Sequence, residues 1–591
     1  MFRHTRFPRP IIRQNSPIRV STTILVDPQE YVVQGPISIG AGGAWISNLE
    51  AYLPILRILT LIFMLGAIWS QRLPVSINAQ NESAISLENL LAKAENSLAT
   101  GHWSQAANYY EQALELVSGV KRDEITQQLR WCRVQQAVKD RYLDGSLAAY
   151  AGKVAPKEAA DLLAETMDLV HYTYYQKIDP AAQLTSSLVY LEAAVQNQTF
   201  RGHFSMEDES VSGLLREISR LRTQLGSAEK KTEPEMMEAL ESLVEPSVKA
   251  GLGGGWPAVE LAYAYANELD KYSYMLSPNQ FETLCDQLNG YYIGIGVELV
   301  FEGHFPTVFD VIPNGPAAQN GVRPGDVLLK AGSVSLEDKS IGEVGKLLTG
   351  ARDTEVEIAF RRGDDERTIT VKRKLVSSSS VRYARRIGAE DQIGYVRIAS
   401  FDHNTALDLK RAVDELQVVG AKSLLIDLRC NGGGVMTAAI DAVRLFVKQG
   451  TIVTVHRTNE ITRYEADGVS AIFNLPLAVL VDKNTASAAE IFAAALQDRG
   501  RGILIGQKTL GKGVVQTLYP MDHGPTGLCI TTATYVPPSD KSFNLEGIEP
   551  DILVVNPHET NAKVVSLAVL LQEDDLTMQA GIRYLKNPVV E

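Results

Sequence analysis

Cysteine and histidine are scarce in this sequence. The 591 residues include nine histidines, and none of them, His403, His456 and His523 included, lies in a loop of small residues. The four cysteines have neither the spacing of a metal site nor the pattern of a disulfide framework. They are Cys132, Cys285, Cys430 and Cys529. We therefore expect no metal and no other cofactor.

Positive charge is also in deficit. The 57 Lys and Arg residues are outnumbered by 70 Asp and Glu residues, which gives a formal net charge of −13. This balance argues against a nucleic-acid-binding surface. The hydrophobic content of 45% and the charged content of 21% are those of an ordinary globular protein. A chain of this length should form three or four domains.

An apolar stretch lies near the N-terminus. Tyr52–Trp69 is almost wholly apolar, interrupted by Pro54 and Arg57, and its 18 residues approach the lower limit for a membrane span. The segment 1–50 before it contains few acidic residues and several arginines. These are Arg3, Arg6, Arg9, Arg13 and Arg19. Such a basic flank places the N-terminus in the cytoplasm and the remainder outside.

Two interpretations of this stretch stay open. Residues 51–70 could be a signal anchor, which predicts a single-pass protein of the inner (cytoplasmic) membrane with its main part on the periplasmic, extracytoplasmic side. Alternatively, a signal peptide is cleaved after a residue such as Ala79 and the protein is exported. We favour the anchor, because fifty preceding residues are long for a signal peptide.

Residues 86–249 have the three- and four-residue apolar spacing of helices. The first two, Leu87–Thr100 and Ser104–Val117, keep the spacing of a tetratricopeptide repeat. A single repeat cannot bury its own apolar face, so we expect a solitary hairpin packed on the helices that follow. These helices could be a scaffold or a surface for an adaptor. Gly251–Gly255 is predicted to be a flexible break before a helical lead-in at 255–287.

Three apolar segments in the C-terminal third each run into a loop of small residues. The segments are 424–426, 477–481 and 503–506, and helical spacing follows the first two loops, at Val435–Val447 and Ala488–Gln497. Strand, loop and helix in this order predict a parallel sheet with right-handed crossovers. Because such sheets collect their loops at the carboxyl ends of the strands, Gly433, Ser487 and Lys512 should meet at one edge.

These loops contain the parts of a nucleophilic site. A serine hydroxyl needs a base to become reactive, and with no histidine nearby the candidate base is Lys512, which must be kept uncharged by burial. Gln516, four residues further along an extended chain, could orient the amine without adding charge. Ser487 begins a helix, so the N–H group of Ala488 is free for an oxyanion, together with that of Gly433 or Gly434. The predicted reaction class is acyl transfer.

The same stretch resembles the carboxyl-terminal processing peptidases, or tail-specific proteases, which are serine–lysine enzymes with a crotonase- and Clp-protease-like core. The family pattern D-L-R-x-N-x-G-G is matched at 427–434, and S-A-S-A-[SA]-E is matched at 485–490 with Thr485 in first place. The resemblance makes Ser487 the nucleophile, Lys512 the base 25 positions on, and Gln516 the third member. Asp498 matches an acidic position of some members, where a helix-capping role is equally open. Gln507 replaces a common glutamate.

Residues 288–375 resemble a PDZ domain, and 390–575 would be the peptidase core. The segment 292–297 is similar to the carboxylate-binding loop, and 315–318 with 321–328 match the following helix-turn-strand signature. Such domains bind a C-terminal peptide as an added strand, and its terminal carboxylate is captured by loop N–H groups. The substrate-binding residues implied are Ile293, Gly294, Ile295 and Gly296. Arg382–Asp391 is predicted to be a polar connector.

The sequence thus predicts a multidomain α+β protein with an N-terminal anchor, a helical region, a PDZ domain and an α/β peptidase core. The predicted function is cleavage of C-terminal tails of extracytoplasmic proteins by a serine endopeptidase. Two alternatives are an inactive scaffold that only binds partners and an acyl-thioester enzyme of the crotonase type. The second alternative would not need Lys512.

Overall fold

The structure, a computed structural model, describes residues 86–586 except 144, 227–231, 302–303, 338, 340, 351, 378, 388–391 and 556–574. Within these residues no helix is both long and apolar enough to cross a membrane. The segment 1–50 and the predicted anchor at 51–70 lie outside the described residues, so both stay predictions.

The first part of the described chain is helical. Its elements are α1 (Leu87–Ala99), α2 (Trp103–Leu114), α3 (Val120–Tyr142), α4 (Ser146–Ala151), α5 (Pro156–Thr173), α6 (Pro180–Gln196), α7 (Gln198–Arg201), α8 (Asp208–Leu225), α9 (Glu233–Leu240), a 3₁₀ turn (Glu241–Leu243), α10 (Val244–Lys249) and α11 (Trp256–Asn267).

The predicted hairpin forms and packs as expected. Leu90 of α1 and Ala106 of α2 are buried in one cluster with Ile125 and Cys132 of α3. Since α1 and α2 bury their shared face against α3, the pair is a solitary unit joined to the following helices. Its kinship to a tetratricopeptide repeat stays a prediction.

The glycine run 251–255 is not a flexible break, contrary to the sequence-based expectation. A Cβ atom at Gly251 would lie 2.2 Å from the carbonyl oxygen of Ser205, and one at Gly253 would lie 2.5 Å from that of Ala151. The glycines are needed because backbone approaches backbone here, which a side chain would prevent. The helix that follows, α11, is part of the same helical core, with Trp256 fully buried.

A short strand and a helix lead into a compact β-domain at the predicted PDZ position. The elements are β1 (Tyr274–Leu276), α12 (Pro278–Leu288), β2 (Tyr291–Gly294), β3 (Val297–Phe301), β4 (Pro306–Val311), α13 (Pro316–Gln319), β5 (Val327–Ala331), β6 (Val334–Ser335), α14 (Ile341–Leu348), β7 (Glu355–Arg362), β8 (Asp365–Lys372) and β9 (Lys374–Ser377). Strands β3, β4, β5, β7 and β8 form an antiparallel sheet, β6 pairs with β5, and β2 pairs with β9.

The remaining elements build the core. They are β10 (Val381–Ile387), β11 (Ile393–Ile398), α15 (Thr405–Val418), β12 (Ser423–Asp427), α16 (Met436–Arg444), β13 (Thr451–Arg457), β14 (Glu460–Glu465), β15 (Leu477–Val481), α17 (Ala488–Asp498), β16 (Ile503–Gly506), β17 (Val514–Pro520), β18 (Gly527–Val536), β19 (Ile552–Leu553) and α18 (Leu576–Lys586).

A six-stranded sheet in the order β10-β11-β12-β15-β16-β19 organises this core. Within this sheet β11, β12, β15, β16 and β19 are parallel to one another, as the sequence predicted for the three apolar segments. Alternate residues of β12 face opposite sides: Leu424 and Ile426 pack with α15, α16 and α17, whereas Leu425 packs with α18. Helices therefore cover both faces, which explains why these strands are apolar throughout.

The polar connector predicted at Arg382–Asp391 is mostly a strand. Residues Val381–Ile387 form β10, which pairs antiparallel with β11 at the edge of the six-stranded sheet. Arg385 and Arg386 are exposed on this edge strand, whereas Arg382 pairs with Glu298 of β3 at 3.0 Å. Charged side chains are tolerated on an edge strand because one of its edges meets solvent. The core sheet thus begins before residue 390.

A second sheet joins the helical part to the core. It contains β1, β18, β13 and β14 in this order, and β17 pairs with the other edge of β18. The helical part contacts it directly: the N–H of Tyr175 donates to the carbonyl of Thr531 at 3.1 Å, and the hydroxyl of Tyr150 donates to that of His523 at 3.0 Å. The helices are therefore part of one packed body with this sheet.

Candidate active site

The three small-residue loops meet at the carboxyl edge of the six-stranded sheet, as the sequence predicted. They follow β12, β15 and β16, which are consecutive neighbours. Gly433 lies so close to the second loop that a Cβ atom on it would be 2.8 Å from the Ser487 Cβ and 2.9 Å from the Ala488 nitrogen. Only glycine permits this approach, and its φ of 98° also favours glycine.

Ser487 has an unusual backbone conformation. Its φ and ψ are 57° and −119°, and it stands immediately before α17. A non-glycine residue in this region costs of the order of 1–3 kcal/mol and needs surrounding contacts to hold it. The strain presents the serine side chain at a sharp turn between strand and helix. The sequence predicted the helix start but not the strain.

The contacts that hold Ser487 come from Glu490, whose role the sequence interpretation missed. Its fully buried carboxylate accepts hydrogen bonds from the backbone N–H groups of Ser487 (2.8 Å), Gly511 (2.7 Å) and Lys512 (2.9 Å) and from the hydroxyl of Thr509 (2.6 Å). Burial raises the pKa of Glu490, and these hydrogen bonds oppose the rise. One carboxylate thus fixes the serine loop to the lysine loop.

Lys512 is buried, with 6% of its surface exposed. Its Nζ donates a 2.6 Å hydrogen bond to Oε1 of Gln516, the residue predicted to orient it. The Nε2 of Gln516 in turn donates to the carbonyl oxygen of Tyr272 at 2.6 Å. Burial lowers the pKa of Lys512 to about 8, so a substantial fraction of the amine is neutral near physiological pH.

The three N–H groups predicted to receive an oxyanion differ in their backbone surroundings. The N–H of Gly433 already donates to Oδ1 of Asn431 at 2.8 Å. Ala488 is the first residue of α17, so its N–H has no acceptor within the helix. Gly434 and Phe401 form an isolated β-bridge, in which the N–H of Val435 donates to the carbonyl oxygen of Phe401 at 2.8 Å. The N–H of Gly434 takes no part in this bridge. Of the three predicted donors, the geometry favours Ala488 and Gly434.

Tyr535 is a second residue whose part in the site was missed. It is buried at the end of β18, and its hydroxyl donates a hydrogen bond to the carbonyl oxygen of Lys512. A hydrogen bond with the Ser487 side chain also acts on its pKa, which burial raises well above the usual value. The sequence offers little local signal for this role, because Tyr535 reaches the site from a strand that follows Lys512 by more than twenty residues.

The structure does not bring Asp498 to this site. It is the last residue of α17, exposed, and its carboxylate accepts a 2.9 Å hydrogen bond from the N–H of Ser539. Eleven helical residues separate it from Ser487 by about 16 Å. Its carboxylate ties the end of α17 to a neighbouring loop, and the helix-capping alternative stays a prediction.

The predicted peptide-binding loop of the PDZ region lies between β2 and β3. Ile293 and Gly294 end β2, and Ile295 and Gly296 form the turn into β3. The side chains of Ile293 and Ile295 are each 2% exposed. The turn is fixed by hydrogen bonds that its carbonyl groups accept, from Ala317 to Ile295 at 2.7 Å and from Ile312 to Gly296 at 3.0 Å.

Comparison with known proteins identifies two regions of the chain. The model of peptidase family S41 matches residues 392–554, and a PDZ domain model matches residues 307–362. A solved structure, the photosystem II D1 C-terminal processing protease, aligns with 67% of this chain and 93% of its own at 25% identity and a TM-score of 0.36.

Several relatives are processing proteases. A chloroplastic C-terminal processing peptidase of Tetradesmus obliquus is 32% identical over 300 residues, which are 48% of this chain and 64% of the relative. Carboxyl-terminal-processing proteases of Picosynechococcus sp. and Synechocystis sp. are 32% and 31% identical, over 54% and 56% of this chain and 76% and 77% of their own lengths. The chain therefore belongs to the carboxyl-terminal-processing proteases of peptidase family S41, which are serine peptidases, and it carries a PDZ domain.

Proposed function

We propose that this serine peptidase uses Ser487 as nucleophile and Lys512 as general base, and that it cleaves C-terminal tails of extracytoplasmic proteins. The observation that carries the proposal is the carboxylate of Glu490, which bonds the backbone of both residues and so couples their loops. The buried position of Lys512 supports its role, because only the neutral amine can accept a proton.

The proposed chemistry proceeds in two steps. The Ser487 hydroxyl attacks the carbonyl carbon of the scissile peptide bond while Lys512 accepts the hydroxyl proton, and the resulting oxyanion is bound by the N–H groups of Ala488 and Gly434. Lys512 then gives the proton to the leaving amine as the C–N bond breaks, which leaves an ester on Ser487. A water molecule, deprotonated by Lys512, hydrolyses the ester and regenerates the hydroxyl. No step needs a cofactor.

Substrate selection is assigned to the PDZ loop. The terminal carboxylate of an unstructured tail would bind the N–H groups of the Ile293–Gly296 turn, with the tail added as a strand. An adaptor on the helical part is a further possibility for selection. The anchor at 51–70, or a signal peptide cleaved near Ala79, would place this chemistry outside the cytoplasm; N-terminal sequencing and alkaline extraction of the membrane fraction separate the two.

The test is cleavage of a protein with an unfolded C-terminal tail. We expect Ser487→Ala and Lys512→Met to lose at least about 10³-fold in kcat/KM, with unchanged circular dichroism. Lys508→Met is the matched control, because Lys508 is half-exposed and paired with Glu549 on the surface. A substrate with an amidated C-terminus should have a higher KM. Wild-type cleavage by either site variant would refute the assignment, and tail binding without any cleavage by the wild type would favour the scaffold.

A further inference from the structure

The helical part reaches the proposed site through one short segment. Residues 269–273 connect α11 to β1, and the Asp270 carboxylate accepts hydrogen bonds from the N–H groups of Tyr272 (2.6 Å) and Ser273 (2.8 Å). The hydroxyl of Ser273 accepts a hydrogen bond from the N–H of Thr531 in β18 at 3.0 Å. The segment is thus folded on itself and fastened to the sheet that follows Lys512.

Tyr272 contacts both members of the lysine–glutamine pair. Its carbonyl oxygen accepts the 2.6 Å hydrogen bond from Nε2 of Gln516, and Nζ of Lys512 lies 5.1 Å from the centroid of its ring. The carbonyl fixes which way the Gln516 amide faces, so that its oxygen points at the lysine. The ring covers the amine and contributes to its burial.

A second amine lies against the same ring. Nζ of Lys271 is 4.8 Å from the Tyr272 centroid; its side chain is partly exposed, and partial burial lowers its own pKa as well. Two ammonium groups that contact one ring repel one another, and the buried one loses its charge more readily because water screens it less. A neighbouring cation lowers the pKa of a lysine, and this is one of the established ways of obtaining its neutral amine near neutral pH.

The charged and titratable groups around Lys512 come from three parts of the chain: α17, β18 and the segment 269–273. Glu490 of α17 and Asp270 raise its pKa, whereas burial and Lys271 lower it. Cys529 of β18 also acts to raise it, but burial lifts the pKa of that thiol to about 11, so the thiol is uncharged at neutral pH. Tyr272 is uncharged there too, with a pKa raised to about 12 by burial. Lys271 is therefore the positive charge among these groups that opposes the two carboxylates.

We propose that Lys271 and Tyr272 are positioning residues for proteolysis: Tyr272 orients Gln516 and covers the Lys512 amine, and the positive charge of Lys271 favours the uncharged form of that amine. The proposal rests on the proposed function, since it concerns the base of that reaction. It makes the helical part a wall of the active site and gives a partner bound there a physical route to the chemistry.

The test is the pH dependence of kcat/KM on a tail substrate. Lys271→Met should move the rising limb to higher pH by roughly half a unit, and Lys271→Glu should move it about twice as far. Lys271→Arg keeps the charge and should restore the wild-type limb. Tyr272→Ala opens the amine to water and should shift the limb in the same direction, whereas Tyr272→Phe should retain it. Lys508→Met, which removes a half-exposed lysine paired with Glu549, should leave the limb in place.

A second measurement does not depend on cleavage. In a Ser487→Ala background, the Lys512 amine is titrated by its pH-dependent acetylation with labelled acetic anhydride, quantified by peptide mass spectrometry. The midpoint should rise in Lys271→Glu by the same amount as the kinetic limb. If Lys271→Glu leaves both midpoints at the wild-type value while Lys512→Met remains inactive, this inference is wrong and the proposed function stands. If Lys512→Met cleaves normally, the proposed function itself fails.

Discussion

Two buried carboxylates of the core, one at the site and one behind it, are satisfied in opposite ways. Glu490 accepts hydrogen bonds from neutral N–H and O–H groups, whereas Asp427 at the end of β12 faces the guanidinium of Arg429 at 2.8 Å. Burial acts to raise the pKa of both carboxyl groups, but at Asp427 the guanidinium more than offsets it and the pKa falls below its usual value.

The Asp427 cluster has a structural purpose. Arg429 also pairs with Asp575 at 2.8 Å, and Asp575 accepts hydrogen bonds from the N–H groups of Thr577 and Met578 at the start of α18. The arginine therefore fastens the C-terminal helix to the sheet. The family motif at 427–429 is explained by this fastening rather than by chemistry.

The difference between Glu490 and Asp427 shows how a buried carboxylate can be satisfied beside Lys512 without an arginine. At Glu490 the backbone N–H groups already supply the hydrogen bonds that a guanidinium would otherwise donate. The N–H groups belong to Ser487, Gly511 and Lys512, so their hydrogen bonds partly offset the burial of the Glu490 carboxylate and also hold the serine and lysine loops together. The ion pairs of Arg429 stabilise the packing of α18 on the sheet, whereas the hydrogen bonds of Glu490 align the serine and lysine loops.

The largest expected effect is the loss of stability when the Asp427 cluster loses its arginine. Arg429→Met leaves Asp427 and Asp575 buried without their cation, which should lower the free energy of unfolding by about 3–5 kcal/mol. Urea denaturation followed by circular dichroism measures the change. Lys410→Met removes a half-exposed partner of Asp414 and should cost less than about 1 kcal/mol. Equal losses in the two variants would remove the distinction between the buried cluster and a surface pair.

The next effect concerns Glu490. Glu490→Gln presents an amide N–H₂ to donors that need an acceptor, so the serine and lysine loops should separate slightly and kcat should fall by about 10²-fold. Steady-state kinetics on a tail substrate measures this, with KM expected to change little. Gln497→Glu, at a partly buried position near the other end of the same helix, is the control for a general effect on α17. An unchanged kcat would show that Glu490 only caps the helix.

A smaller effect follows from placing a new charge beside the base. In Gln516→Glu a carboxylate would face Nζ of Lys512, hold its proton and raise its pKa by roughly 1–3 units. Activity at pH 7 should fall accordingly and recover as the pH rises. A pH–rate profile that drops by the same factor at every pH would instead indicate that the variant only disturbs packing.

The sequence predicted that Ser487 and Lys512 lie close together, because each stands in a loop that follows an apolar strand of one parallel sheet, and Gln516 lies in the next strand. Their catalytic roles stay predictions. The sequence could not predict what holds these residues. The role of Glu490 depends on a loop about twenty residues away that folds over the helix start, and Tyr272 is 244 positions from Gln516. Contacts at such separations leave no local pattern in one chain.

Local composition also misled twice. Glycines at 251–255 suggested flexibility, but glycine is equally suited to tight backbone contact, and only the partner at Ser205 distinguishes the two. Charges at 382–391 suggested a connector, although an edge strand carries charges on its solvent side just as readily. In both cases the deciding information was the neighbour in space.

The most direct test of the central claim is to compare two titrations of the wild-type site. One is the rising limb of kcat/KM against pH, and the other is the acetylation midpoint of the Lys512 amine in Ser487→Ala. The account predicts that both lie near pH 8, the pKa to which burial lowers this lysine, and that activity rises as the amine loses its proton. A Lys512 midpoint near the ordinary lysine value of about 10.4, with activity already complete at pH 8, would contradict a lysine base.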